Sequence, residues 1–284
     1  KHSVDSKVLQ KYLLPPEPYR FAGFMAFDPN GTAIGFCGGA LCKMQYGQQR
    51  CLGLQFCDTM TLPDWQGKGV FRSLSTALQN WAVDRQILIH FAFLNQNSHW
   101  AYQKALGWEI VGQMKRFPLD IITLPLQKLG EHLPVIASLQ RGLERRIFAT
   151  KSGEKNIPNS LQSTDSLTVI HDANFYAEKS NPPPYFLEID GTKVWLKSQK
   201  NAWIGDIHLR ENQNIESFIR QLKALARAAG IHRIHLQLYD STTHCQRMQT
   251  AMKAYPSWSI GGKSFDPNIP ISQLRLCLGD IDTF

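Results

Sequence analysis

"LPDWQGKGVFRSL", residues 62–74, sets two glycines and a lysine between a tryptophan and an apolar run. Glycine gives up more conformational freedom on folding than any other residue. A Gly67-Lys68-Gly69 turn placed where apolar spacing becomes helical therefore marks a backbone that something must approach closely. From Val70 the apolar residues fall at 70, 71, 74, 78, 81 and 82, one face of a helix running to about Asp84. Upstream, "QRCLGLQFCDTMTL" (49–62) reads as a strand. Strand, glycine turn and helix start together make an anion site. The first N–H groups of the helix lack partners, and its dipole places about half a positive charge there. Lys68 adds a full one.

Working outward, "FAGFMAFDPNGTAIGFCGGAL" (21–41) is a hairpin turning at Asp28-Pro29-Asn30-Gly31. "ILIHFAFLN" (87–95) is a buried strand, "SHWAYQKAL" (98–106) a short helix capped by Gly107, and "WEIVGQMKRFPL" (108–119) another strand. The order is β-β-β-α-β-α-β. It returns in the last hundred residues: a hairpin (185–198), a strand (201–209), a helix (214–230), a strand (231–239), a helix (244–255) and two closing strands ending in "LGDIDTF". Where the first copy reads "WQGKGVF", the second reads "LRENQNI" and has no glycine loop. The expected domains are a first lobe (1–125), a helical segment and polar linker (126–180), and a second lobe (181–284).

The chain of 284 residues is 43% hydrophobic and 19% charged, enough to bury real cores. Lys and Arg number 31 against 23 Asp and Glu, a balance that favours anionic partners: nucleic acid, anionic lipid or a phosphorylated cofactor. The positive charge is spread out, with "RGLERR" (141–146) read as a solvated helix face, which argues against a nucleic-acid groove. The six cysteines form no C-x-x-C, so free thiols in a reducing compartment are expected. "HRIH" (232–235) lies in a strand, where positions three apart face opposite sides, so no metal is expected. No apolar run approaches the roughly 18 residues of a membrane span, and no signal peptide is visible. A cytoplasmic protein without nucleic-acid or membrane partners is the expectation. Because the chain begins at Lys1, its first element is expected to be cut.

A Walker loop needs G-x-x-x-x-G-K-[ST] and a dinucleotide fingerprint G-x-G-x-x-G; "GKGVFR" satisfies neither. The remaining fit is the pyrophosphate loop of acyl-CoA enzymes. "TLPDWQGKGVFRSLSTAL" (61–78) resembles the [QR]-x-x-G-x-[GA] segment of the GNAT acetyltransferase superfamily, with Gln66 and Gly69 in register. "FLNQNSHWAYQKALGW" (93–108) resembles its second motif. The doubled layout and the terminal "GDIDTF" resemble a two-lobed branch related to the enhanced-intracellular-survival aminoglycoside acetyltransferases. The resemblance implies an α/β (α+β) mixed-sheet acyltransferase fold with a second, degenerate lobe, and acetyl-CoA as cosubstrate. It implies that Gln66, Gly67, Lys68, Gly69, Val70 and Phe71 cradle the pyrophosphate. Met60, Thr61 and Leu62 would offer strand N–H groups to pantetheine, and Asn95 or Asn97 would bind the far side of the cofactor arm.

Two positions depart from the pattern. Phe71 stands where the loop motif has a small residue. Gln103 stands where the family has the tyrosine that protonates the leaving thiolate, which leaves Tyr102, after a register shift, or water as the acid. Acetyl transfer also needs a base for the amine proton. Asp58, at the open end of its strand, is one candidate, with a bond to a neighbouring loop as the alternative. In the survival-protein relatives the terminal carboxylate serves; Phe284 would carry it here, against a last strand that merely completes the sheet with Asp280 and Asp282 capping a turn. His90 is read as a core histidine and His99 as a surface one. Trp65, Trp100 and Trp108 are read as packing, with a sugar platform at Trp65 or Trp100 as the alternative. With no cysteine in the motif region as an acyl carrier, direct transfer in a ternary complex to a small-molecule amine is expected. The acceptor could be an amino sugar, an aminoglycoside or another amine. A non-catalytic acyl-CoA sensor and a basic nucleic-acid-binding module are the rival readings.

Overall fold

The computed structural model describes residues 21–123, 134–180, 182–198 and 201–282. The first unit runs β1 (Phe21–Phe27), β2 (Ala33–Tyr46), β3 (Gln49–Thr61), α1 (Val70–Val83), β4 (Ile89–Leu94), α2 (Gln96–Leu106) and β5 (Glu109–Asp120). After α3 (Pro134–Ala149), β6 (Leu167–Val169) and α4 (Ala173–Glu178), the same order recurs. It runs β7 (Tyr185–Ile189), β8 (Thr192–Ser198), β9 (Ala202–His208), α5 (Ile215–Ala228), β10 (Arg233–Tyr239), α6 (Thr243–Gln249) and β11 (Tyr255–Ser264).

Among the described residues all eleven strands join one sheet, ordered β1-β2-β3-β4-β11-β5-β10-β9-β8-β7, with β6 on β2. The units exchange their last strands. β11 lies against β4 in the antiparallel register Ser259↔Leu94 to Ser264↔Ile89, while β5 pairs β10 from Arg233↔Asp120 to Tyr239↔Met114. β5 and β11 also pair each other, so the seam between the units is a continuous ladder. Parallel pairs occur at matching places, β3 with β4 and β9 with β10.

Burial explains the layering. Val70, Leu74, Leu78, Trp81 and Ala82 of α1 pack with Leu54, Phe56, Ala92 and Leu94 on one face of the first unit. Ile89 and Phe91, offset by one residue along β4, fall on the opposite face with Trp195, Tyr239 and Leu274. Phe218, Leu222 and Ala226 of α5 cover Ile234, Leu236 and Leu238 in the second unit.

Two stretches differ from expectation. The supposed polar linker is built into the structure: Met44↔Val169 and Tyr46↔Leu167 pair β6 with β2, and Phe175 and Tyr176 are buried. Its Ser and Asn residues satisfy local turns, as where Ser166 Oγ donates to the Leu161 carbonyl and accepts from the Ser163 N–H. Among the described residues only one closing strand, β11, forms. Residues 265–282 run as turns, with single 3-10 turns at Ile271–Gln273 and Leu278–Asp280. Pro267 and Pro270 lack strand donors, and the Asp280 carboxylate accepts from the Cys277 N–H to close the final turn.

No described helix is long and apolar enough to cross a membrane.

Candidate functional site

The site begins where a sheet comes apart. β3 and β4 pair only from Gly53↔Ile89 to Gln55↔Phe91. Beyond Phe91, β4 keeps its bonds to β11, and beyond Gln55, β3 keeps its bonds to β2 as far as Thr61. Residues 56–61 therefore turn an edge of backbone N–H and C=O groups toward the gap. Among the described residues no strand pairs with that edge. Unpaired backbone groups in such a gap call for water or a ligand. Met60 and Leu62 lie along it with exposed side chains, 59% and 36%, an apolar rim rather than a core.

A bulge shapes the middle of this edge. The β2–β3 register passes from Gly38↔Cys57 to Phe36↔Met60, so Asp58 and Thr59 together oppose Cys37. Asp58 takes φ +46°, a left-handed backbone that non-glycine residues rarely adopt. The Thr59 hydroxyl lies 3.2 Å from the Tyr102 hydroxyl of α2 and 3.5 Å from the Cys37 thiol. Tyr102 is buried in an aromatic nest with Phe56, Phe71 and Trp108, and burial pushes its phenol well up. Gln103, one residue further along α2, is exposed. The tyrosine beside it is the one α2 aims at the opened strand. Phe71 packs its ring on Tyr102, centroids 5.1 Å apart, so this large side chain enters the core and leaves the loop backbone clear.

The loop follows β3 through a 3-10 turn at Pro63–Trp65. Gly67 and Gly69 sit at φ +74° and +87°, and a Cβ on either would meet nothing within 4 Å. Their freedom is thus used for backbone direction, not for packing room. Gly69 is the N-cap of α1 and offers no side-chain bond, whereas α2, α4, α5 and α6 are capped by Asn95, Asp172, Asn214 and Thr242. The first-turn N–H groups of α1 are left for an anion. Lys68 is exposed, its ammonium 4.9 Å from the Trp65 ring centroid, and Gln66 Nε2 donates to the Thr61 carbonyl, tying loop to strand. Asn95 spends its Oδ1 on the N–H groups of Asn97 and Ser98; Asn97 is exposed.

Sequence reasoning read one residue of this site, Asp282, only as the cap of a turn. Asp282 comes from the last described turn to lie with Cys57 and Asp58, one ligand atom of each within 4.8 Å of the others. Burial, and then Asp58, push the Asp282 carboxyl above the usual carboxylate range. Cys57 is a cysteine in the motif region after all, but burial and the two carboxylates push its thiol far up, which makes it a poor nucleophile. The signal for Asp282 was the terminal "GDIDTF", read for Phe284; Phe284 lies outside the described residues. His90 is a core residue, its Nε2 2.8 Å from the Ile87 carbonyl, with burial pushing the imidazole down to about 4. His99 lies 3.0 Å from the Ser259 hydroxyl of β11. Trp108 is buried and Trp100 exposed.

The second unit opens in the same way, but its gap is filled. β9 and β10 pair only from Ala202↔Ile234 to Ile204↔Leu236. The turn at Leu278–Asp280 packs against both strands, and a Cβ at Gly279 would fall 2.1 Å from Trp195. Asn214 already caps α5 there.

No protein-family model matches the chain, and no curated protein matches it in sequence. Solved structures do match in shape. A GCN5-related N-acetyltransferase from Sphaerobacter thermophilus superposes with TM-score 0.52 at 12% identity, covering 88% of this chain and 83% of that one. A protein from Enterococcus faecalis V583, described as a probable N-acyltransferase, gives 0.52 at 7% identity over 86% and 62%. A GCN5-related N-acetyltransferase from Kribbella flavida gives 0.48 at 11% identity over 87% and 60%, so the chain spans about three fifths of the length of these last two proteins. At these identities the likeness is one of architecture, and the chain has the mixed-sheet fold of the GCN5-related N-acetyltransferases.

Proposed function

We propose that the protein is an acetyl-CoA-dependent N-acetyltransferase that acts on a small-molecule primary amine by direct transfer in a ternary complex. One observation carries the reading: an uncapped, glycine-turned helix start beside a strand whose edge has been opened. The N–H groups of Gly67 to Phe71 suit a diphosphate, with Lys68 adding charge, and residues 60–62 suit the amides of a pantetheine arm. Asn97, and the amide nitrogen of Asn95, border the far side.

The chemistry then falls to residues around the bulge. Asp58 accepts the proton of the incoming ammonium, directly or through water. A backbone N–H of the 58–62 edge polarises the thioester carbonyl as the amine nitrogen bonds to its carbon and the carbon–sulfur bond breaks, and the second proton of that nitrogen passes, directly or through water, to the departing thiolate to give the free thiol and the neutral amide. The Tyr102 hydroxyl donates a hydrogen bond to the departing sulfur; burial keeps the phenol protonated, so the donor is present at any working pH. Asp58 and Asp282 make this spot acidic on a chain of net charge +8, which supports a cationic acceptor.

The test is thiol release from acetyl-CoA against spermidine, glucosamine and tobramycin, with Gly69→Asp beside the wild type. Turnover lost in Gly69→Asp supports the reading. CoA binding without thiol release from any amine would leave a non-catalytic acyl-CoA-binding protein instead.

A further inference from the structure

We propose that His171, Asp280, Cys277 and Lys179 form a latch that fixes residues 277–282 in the second unit's gap and thereby holds Asp282 against Asp58 in the first; this rests on the acetyltransferase reading only for its kinetic consequence. His171, Cys277 and Asp280 are all buried. The imidazole Nε2 lies 2.7 Å from Asp280 Oδ1. The other carboxylate oxygen accepts from the Cys277 N–H at 2.8 Å and its thiol at 3.3 Å. The imidazole stacks on Phe175, centroids 4.1 Å apart, and its Nδ1 is 3.9 Å from Asp206. Asp206 is itself bonded to the N–H and hydroxyl of Ser160. One residue beyond Asp280, the buried Lys179 ammonium donates to the Ile281 carbonyl. The next residue is Asp282.

The anchors come from segments of different origin. His171 and Lys179 flank and end α4, in the stretch between units, and the turn they hold fills the β9–β10 opening. The chain leaves that plug at Ile281 and ends its described course beside the first unit's bulge. Both Asp280 carboxylate oxygens are paired while the buried His171 Nδ1 has no hydrogen-bond partner among the described residues, so losing the imidazole would leave a buried carboxylate oxygen without its bond. Apolar side chains would fill the gap more cheaply but would not fix the direction in which the tail exits. The network thus positions Asp282, and makes the second unit part of the first unit's site.

The test uses the whole chain. His171→Phe keeps the stacked ring and removes the donor; His171→Gln keeps a donor; Lys179→Met keeps the stem and removes the charge. Hydrogen exchange of the 274–282 segment is expected to rise at least tenfold in His171→Phe and Lys179→Met and to return toward wild type in His171→Gln. With acetyl-CoA and the best amine of the panel, kcat is expected to fall about tenfold in the first two variants while KM for acetyl-CoA stays within twofold. His171→Phe is expected to add nothing to Asp282→Asn. Unchanged exchange in both His171→Phe and Lys179→Met overturns the latch even if no amine is acetylated. Losses that multiply in the double variant overturn its role in positioning Asp282. One equivalent of zinc in the wild type, absent from His171→Phe, would replace the latch with a metal site. Failure of the wild type to release thiol with any amine sinks the acetyltransferase reading and leaves the exchange result standing.

Discussion

Replacing Gly67 and Gly69 together by alanine separates backbone direction from packing. At φ +74° and +87° an L residue pays about 1–2 kcal/mol each, so holding the native loop would cost roughly 2–4 kcal/mol. In a chain somewhat above 250 residues that strain would lower Tm by about 2–4 °C per kcal/mol if it were kept. The loop has no reason to keep it: both positions are exposed, and neither new methyl would touch anything within 4 Å. The turn is therefore expected to relax, leaving Tm within a few degrees of wild type and swinging the N–H groups away from the start of α1. Hydrogen bonds to a charged partner are worth about 1.5–3 kcal/mol each, so losing two should weaken CoA binding by at least about a hundredfold. Isothermal calorimetry with CoA measures this, and pantetheine, which lacks the diphosphate, is the control whose affinity should hold. CoA affinity within threefold of wild type at unchanged Tm would refute the reasoning, as would a parallel loss for pantetheine.

Three further outcomes follow from the geometry. Tyr102→Phe should lower kcat by ten- to a hundredfold with little change in KM for acetyl-CoA, whereas Gln103→Ala, on the exposed side of α2, should leave steady-state kinetics alone. Asp282→Asn should lose activity without losing stability. A carboxyl whose folded pKa is raised binds protons more tightly in the folded state, so stability falls as pH climbs from its unfolded value through its folded one. The amide removes that penalty at neutral pH, and a thermal melt lower than wild type at pH 7 would contradict it. Finally, residues 1–125 and 181–284 expressed apart should not fold separately, because β4 would lose β11 and β10 would lose β5; a dispersed amide NMR spectrum from either half would disprove this.

The order of elements was legible because periodicity reports local burial. The α1 stripe at 70, 74, 78, 81 and 82 is the buried face of the helix, and Gly107, with φ +65°, ends α2. Strand exchange was not legible: β5 and β11 have the same composition whichever unit they pair with, and pairing partners far apart in sequence leave no local trace. β6 escaped because three buried residues in a run of Ser, Thr and Asp give too short an apolar signal. The Gln66–Phe71 turn was visible through its glycines, and Tyr102 was named, but its direction was obscured by the one-residue offset from the position the resemblance implied. Asp282 could not be placed, since a carboxylate in a terminal "GDIDT" says nothing about which unit it reaches.

The two units start from one β-β-β-α-β-α-β order and end with opposite fates, and the difference lies in a few residues. Both open a gap between parallel strands after three paired residues. In the first, the long helix begins at a glycine with no side chain to spend on its own N–H groups. In the second, Asn214 spends its Oδ1 on the Ser217 N–H, Trp195 and Gly279 close the space, and Asp206 and Asp280 are consumed by Ser160 and His171. An opening whose polar groups are already paired has nothing left with which to hold a diphosphate. The material that fills the second gap then runs on to the first unit, where Asp282 lies with Cys57 and Asp58.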